Sequence, residues 1–105
     1  MTEKEIKLQP NYDTFIPAPV RFHEGLKPSA KLLYGDIAYL ANAHGYCSAE
    51  NKYFAELFNV SKFTISVLIS NLERHGFIKT EIEYIEGTNQ ISRRLIYILD
   101  SKDKR

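Results

Sequence analysis

The side chains most able to bind a ligand are concentrated in one short segment, residues 61–75. A lysine ammonium and three hydroxyls there can donate hydrogen bonds to phosphate oxygens, and an asparagine can pair with the edge of an adenine. These side chains belong to Lys62, Thr64, Ser66, Ser70 and Asn71. Their spacing along one segment predicts a surface that contacts a nucleic acid, although an ordinary solvated helix surface carries the same residue types.

Two apolar residues, Phe63 and Val67, belong to the same outward set. An exposed apolar side chain can contact the methyl group of thymine, but two on one face also suit docking onto a protein. The segment therefore leaves both DNA contact and protein contact open.

A second polar group follows near the C-terminus. Its members are Thr88, Asn89 and Gln90, then the adjacent Arg93 and Arg94. Neighbouring strand residues point to opposite faces, so only one of the two arginines can face the helix side and meet a phosphate. Cross-strand pairing with Glu81 or Glu83 is the alternative for one arginine or for both.

The element that must position the first group is a helix from Ser61 to His75. Ser61 is a favourable N-cap, and a buried stripe is predicted at three- and four-residue spacing. Gly76 can adopt the left-handed conformation that ends a helix. The stripe consists of Ile65, Leu68, Ile69 and Leu72.

Two further helices are predicted before this one. Ser48 is the expected N-cap of a helix that runs to Phe58 and ends in a tight turn over residues 59–61. An earlier helix is predicted from Pro28 to Ala43 by its apolar periodicity. Before it, two prolines predict an extended segment that packs four apolar residues against the core. Those residues are Phe15, Ile16, Val20 and Phe22.

Two strands close the pattern. Residues 77–85 alternate apolar and polar side chains from Ile78 onward, which predicts one strand. After a glycine-containing turn at residues 86–89, residues 91–99 are predicted to return as the second strand of a hairpin. The order of helix, turn, helix, glycine and hairpin predicts an α+β, mainly α fold: a winged helix-turn-helix of three helices and a C-terminal β-hairpin wing. DNA binding follows as the leading functional hypothesis.

Length and composition limit the architecture. A chain of 105 residues, 44% hydrophobic and 26% charged, supports one compact domain. We predict a flexible arm over residues 1–13, the domain over 14–99 and a charged tail over 100–105. No apolar run suits a membrane span or signal peptide, which predicts a cytoplasmic protein without membrane contact. The net charge of only +1 predicts modest, salt-sensitive DNA binding.

No catalytic or metal-binding arrangement is recognisable. His23, His44 and His75 lie in separate segments, and no nucleophile motif or phosphate-binding loop occurs. The single cysteine, Cys47, is expected to be buried. We therefore expect neither enzymatic activity nor a cofactor or metal.

Several runs resemble a known family. They are Phe15-Ile-Pro-Ala-Pro-Val, Ala30-Lys-Leu-Leu-Tyr-Gly, Gly45-Tyr-Cys-Ser-Ala-Glu-Asn-Lys-Tyr-Phe-Ala, Val60-Ser-Lys-Phe-Thr-Ile-Ser and Arg93-Arg-Leu-Ile-Tyr. Over residues 15–99 the chain is similar to the N-terminal winged helix-turn-helix domain of replication initiators, or replisome organisers, from phages and mobile elements of Gram-positive bacteria. The resemblance implies sequence-specific binding of duplex DNA at an origin, with further domains that recruit helicase machinery.

The chain departs from that pattern at Phe63 and Val67, where relatives often carry polar or basic residues, and it stops at Arg105, where initiators usually continue. It is thus expected to be either an excised domain or a short stand-alone protein. We expect double-stranded DNA as partner and a homodimer on paired half-sites, in replication initiation or transcription regulation. The alternative is a phage-encoded regulator that binds a host or phage replication or regulatory protein through Phe63 and Val67.

Overall fold

The structure, a computed structural model, describes residues 12–99. In chain order its elements are α1 (Ala18–Arg21), α2 (Pro28–Ala41), α3 (Asn51–Phe58), α4 (Lys62–Arg74), β1 (Ile78–Tyr84) and β2 (Ile91–Ile98). The predicted fold class is confirmed: the described chain is mainly helical, contains a helix-turn-helix, and ends in an antiparallel hairpin. Within residues 12–99, none of the helices has the length and hydrophobicity of a transmembrane span.

One core lies between the helices and the base of the hairpin. Every helix from α1 to α4 and both strands contribute a side chain that is at most 1% exposed. These side chains include Val20, Leu33, Ile37, Phe54, Ile65, Leu72, Ile78 and Ile96. The buried stripe predicted for α4 is confirmed, and Cys47 is buried as expected.

The turn between α3 and α4 depends on Asn59, whose φ of 57° and ψ of 48° are left-handed. Asparagine adopts this conformation more readily than most residues, so it can end α3 and reverse the chain. Gly76, with φ of 79°, does the same after α4, as the sequence predicts. The reversal at Asn59 thus precedes the start of α4, and the left-handed Gly76 follows its end.

The extended segment predicted before α2 is partly wrong. Residues 18–21 form the short helix α1, with Pro17 as N-cap. Proline fits the first turn of a helix because the amides there need no intrahelical acceptor. Val20 is buried and Ile16 half-buried, but Phe15 and Phe22 are 79% and 68% exposed.

The predicted N-cap at Ser48 is also wrong. Helix α3 begins at Asn51, and Glu50 is its N-cap residue. Cys47 exchanges two backbone hydrogen bonds with Ile96, at 2.8 and 2.9 Å, so the chain is still extended at that point. The later start of α3 follows from this pairing to β2.

The predicted arm falls mainly outside the described residues, as does the predicted tail. Tyr12 is described, and it is packed: its ring stacks on Tyr39 with 4.0 Å between centroids, and its hydroxyl donates to Asp36 at 2.8 Å. Tyr12, which the predicted arm includes, therefore packs against α2.

Candidate nucleic-acid interface

Helix α4 is held at its N-terminus by the predicted cap. Ser61 Oγ accepts a hydrogen bond from the Thr64 amide at 3.0 Å, and the two hydroxyl oxygens are also 3.0 Å apart. The cap satisfies one of the amides that a helix leaves unpaired in its first turn. Thr64 is half-buried, and its hydroxyl is already engaged with Ser61.

One edge of α4 faces away from the core. We name it the recognition edge; it consists of Ser61, Lys62, Phe63, Ser66, Val67 and Ser70, all of which are exposed. Phe63 is 76% exposed and Val67 37%. The predicted outward orientation is confirmed for Lys62, Phe63, Ser66, Val67 and Ser70, whereas Thr64, also predicted to face outward, is half-buried with its hydroxyl engaged by Ser61. The edge presents one ammonium group and three hydroxyls beside two apolar side chains.

Asn71 does not belong to this edge, and the prediction that it faces outward is wrong. Its side chain is 4% exposed. Its Oδ1 accepts from the Lys27 amide at 3.0 Å, and its Nδ2 donates to the Gly25 carbonyl at 3.3 Å. Because the oxygen and the nitrogen of this buried amide are both hydrogen-bonded, Asn71 connects α4 to the loop before α2 and cannot pair with a base.

The arginine pair of the hairpin divides as strand alternation requires. Arg93 is exposed, its Nε donates to Glu83 at 2.8 Å, and its guanidinium lies 5.0 Å from the centre of the Tyr46 ring. The hydrogen bond to Glu83 raises the pKa of Arg93. This is the cross-strand pairing that the sequence left open as the alternative to a phosphate contact. In it, the carboxylate of Glu83 balances the positive charge that Arg93 would otherwise offer to a phosphate.

Arg94 points to the other face, toward α3. Its Nη1 donates to Asn51 Oδ1 at 2.6 Å and its Nη2 to the Ala49 carbonyl at 2.8 Å. Burial lowers the pKa of the guanidinium. Arg94 therefore holds β2 against the N-terminal end of α3. One arginine was predicted to face the helix side and meet a phosphate; Arg94 does face that side, but its guanidinium is bonded within the protein.

At the hairpin tip, Thr88 shapes the turn. Its hydroxyl donates to the Ile85 carbonyl at 2.8 Å and accepts from the Gln90 amide at 3.1 Å. Gly87 has a φ of 78°, which a residue with a side chain rarely adopts. Asn89 and Gln90 are exposed at the tip.

Two contacts that position the interface were missed from the sequence. Glu73 of α4 accepts hydrogen bonds from the amide and hydroxyl of Thr80, at 3.3 and 3.0 Å, and so joins the recognition helix to β1. The other is the Arg94–Asn51 contact. The sequence does not indicate which distant residue a polar side chain on a helix or strand will contact.

No group of three or more His, Cys, Asp or Glu side chains within residues 12–99 could hold a metal ion. The recognition edge itself carries hydroxyl, ammonium and apolar groups, which bind by hydrogen bonding, charge and apolar contact.

Comparisons with known proteins agree with this geometry. A family model described as a helix-turn-helix domain matches residues 24–78, slightly more than half of the chain. A solved structure titled "Structure of Rep-DNA complex" is similar over 95% of this chain and 82% of that chain, with a TM-score of 0.62 and 18% identity. No curated protein matches the chain significantly. At that identity, the structural likeness shows the fold.

Proposed function

The chain is a member of the helix-turn-helix domain family, and from this premise we propose that it binds duplex DNA sequence-specifically through α4. The observation that carries the proposal is the recognition edge, which is exposed along α4 while the opposite side of the helix forms the core. A helix presented in this way can enter the major groove. The proposed role is binding without catalysis.

Each type of side chain on the edge has a contact to make. Lys62 and the hydroxyls of Ser66 and Ser70 donate to phosphate oxygens, which fixes the register of the helix on the duplex. Phe63 and Val67 contact thymine methyl groups, which favours A·T pairs in the target. At the wing tip, Asn89 and Gln90 carry amide groups that can reach the backbone or the minor groove.

The biological setting we propose is replication initiation or transcriptional control by a phage or plasmid. The fold likeness to a chain from a Rep–DNA complex supports the replication setting, as does the resemblance of residues 15–99 to phage initiators. Because the recognition edge carries a single cation, we propose that two copies bind paired half-sites.

The first experiment is selection of bound sequences from a random duplex pool, followed by fluorescence anisotropy on the selected site. We expect a palindromic motif containing A·T pairs. Lys62→Ala weakens binding, Val67→Arg tightens it, and Lys79→Ala is the matched control because Lys79 pairs with Glu81 at 3.2 Å. Loss of one phosphate contact reduces the slope of log affinity against log salt by about 0.9.

A second candidate function rests on Phe63, which is 76% exposed in the first turn of α4. In that alternative the same face docks on a host or phage protein. Failure to enrich any duplex, together with a purified partner that binds the wild type and Lys62→Ala but not Phe63→Asp, would favour protein binding. Enrichment of one duplex whose affinity depends on Lys62 would favour DNA.

A further inference from the structure

The hairpin wing consists of a base that belongs to the core and an outer part that does not. At the base, Ile78 and Ile96 are at most 1% exposed. Every residue from 81 to 93 is exposed, and we name this stretch the outer hairpin. A two-stranded hairpin has little stability of its own in water. The direction in which the outer hairpin points is therefore set by contacts where it leaves the base.

Two polar contacts lie at this junction, one on each strand. On β1, the amide and the hydroxyl of the half-buried Thr80 donate to Glu73 Oε2, at 3.3 and 3.0 Å. On β2, the half-buried Arg94 donates to Asn51 Oδ1 at 2.6 Å and to the Ala49 carbonyl at 2.8 Å. Strand β1 is thus bonded to α4, and β2 to the start of α3. Each strand is attached to a different helix of the helix-turn-helix.

Glu73 occupies a position that helix formation alone does not favour. It lies in the last turn of α4, where the negative end of the helix dipole opposes a carboxylate. The carboxylate accepts two donors from Thr80, which belongs to another element. The contact that Glu73 makes to β1 therefore accounts for an acidic residue at this position.

Arg94 is suited to holding β2 in one orientation. Its guanidinium is planar and its donors form a rigid fork, so two bonds to separate acceptors restrict rotation more than one bond does. Both acceptors, Asn51 Oδ1 and the Ala49 carbonyl, are uncharged. Arg93 adds a contact of another kind, with its guanidinium 5.0 Å from the centre of the Tyr46 ring. Arg93 is exposed, where such a contact is weak.

The length of the outer hairpin amplifies any change at the junction. The stretch from Thr80 to Ile85 spans about 17 Å at roughly 3.3 Å per residue. For a tilt of about 10° at the junction, the turn moves by about 3 Å, which is the length of a hydrogen bond. Asn89 and Gln90 at the wing tip would then lose a contact to DNA while α4 stayed in its groove.

We propose that Glu73 and Arg94 are positioning residues that fix the inclination of the outer hairpin to α4, so that the wing tip and the recognition edge contact one duplex together. Neither residue contacts DNA in this proposal, and each acts through Asn89 and Gln90. The consequence for DNA rests on the proposed function, whereas the inclination is a property of the chain alone.

The inclination is measured without DNA, from residual dipolar couplings of the amides in the isotope-labelled chain. In the wild type we expect one alignment tensor to fit α3, α4 and the outer hairpin. In Glu73→Ala, and more strongly in Glu73→Ala with Arg94→Met, the outer-hairpin couplings should fall below the values that this tensor gives, while the helices still fit it. Both variants should fold, because alanine favours a helix and methionine keeps an apolar stem in place of that of arginine.

Two further variants separate positioning from a general loss of structure. Glu73→Gln keeps an oxygen that can accept from Thr80, so it should retain the wild-type couplings. Glu81→Gln is the matched control, because it breaks only the pair between Lys79 and Glu81, which lies within β1 at 3.2 Å. It should leave the couplings of the outer hairpin unchanged.

The consequence for DNA is measured by fluorescence anisotropy on the selected duplex. Glu73→Ala should weaken binding about fivefold, the effect of losing about one net hydrogen bond at the tip. Asn89→Ala with Gln90→Ala removes the tip contacts directly, so adding Glu73→Ala to that variant should cause no further loss. Adding Lys62→Ala should weaken binding further, because Lys62 acts through α4 and independent sites are additive.

Two results would overturn the proposal. One is a set of outer-hairpin couplings that Glu73→Ala and its combination with Arg94→Met leave unchanged. The other is equal weakening of DNA binding by Glu73→Ala with and without the wing-tip substitutions, which would show that Glu73 does not act through the tip. A wild type that fits one tensor but binds no duplex would support the positioning role and refute the proposed function.

Discussion

Replacing Asn71 by alanine should destabilise the fold and leave DNA contact unaffected, although the residue lies on the proposed recognition helix. The substitution removes the hydrogen bonds to the Lys27 amide and the Gly25 carbonyl. Each bond contributes about 0.5–1.5 kcal/mol net, so the loss is about 2 kcal/mol. For a domain of this size that corresponds to a decrease in unfolding temperature of roughly 8–16 °C.

The assay is thermal unfolding by circular dichroism, with urea unfolding to obtain the free energy. Ser70→Ala is the matched control on the same helix: Ser70 is exposed, and its replacement should change stability by less than about 0.5 kcal/mol. The DNA affinity of Asn71→Ala, measured well below its unfolding temperature, should match the wild type. An unchanged unfolding temperature combined with weakened DNA binding would refute the assignment of Asn71 to the fold.

Three further changes test the elements that position the interface. Ser61→Ala should lower stability by about 1 kcal/mol in urea unfolding because it removes the N-cap of α4, and Ser61→Asp should retain it. Gly76→Ala should cost about 1–2 kcal/mol in the same assay, since φ is 79° there; equal stability would contradict that backbone conformation. Burial raises the pKa of Asp36, against the opposing hydrogen bond from Tyr12, so the folded state favours the protonated carboxyl and loses stability as pH rises from about 4. Asp36→Asn should therefore raise the unfolding temperature at pH 7, with the difference shrinking in acid.

The features of the fold that could be predicted were those with local causes. Ser61 and Gly76 act within one helical turn of their own positions, and the stripe of Ile65, Leu68 and Leu72 follows from helical geometry alone. Such signals depend only on residues that are close in the chain, so they can be recognised in a single sequence.

The failures have long-range causes. The side chain of Asn71 is oriented by backbone groups 44 and 46 residues earlier, and a polar residue beside an apolar stripe looks the same whether it faces solvent or such groups. The start of α3 was misplaced because Cys47 pairs with Ile96, almost 50 residues later in the chain. At Pro17 the error was local: proline was interpreted as a helix breaker where it acts as an N-cap.

The division of Arg93 and Arg94 was only half predictable. Alternation requires opposite faces, but which arginine faces α3 depends on register, and the register shifts between Glu83 and Tyr84. Arg93 stands opposite Glu83 and Ile91 opposite Tyr84, which leaves Ser92 as the extra residue of a bulge. A bulge is not evident from the alternating pattern, so the sequence left the choice open.

The charge distribution bears on how tightly the chain can bind DNA. On the wing, Lys79 and Arg93 are paired with glutamates and Arg94 is held against α3, so these cations contribute little to a phosphate interface. Lys62 is then the principal exposed cation of the recognition edge, and one such contact supplies little of the counterion release that drives DNA affinity. The DNA binding that we propose is therefore tight only if a second unit contributes, and the proposed pair of copies on paired half-sites supplies that unit.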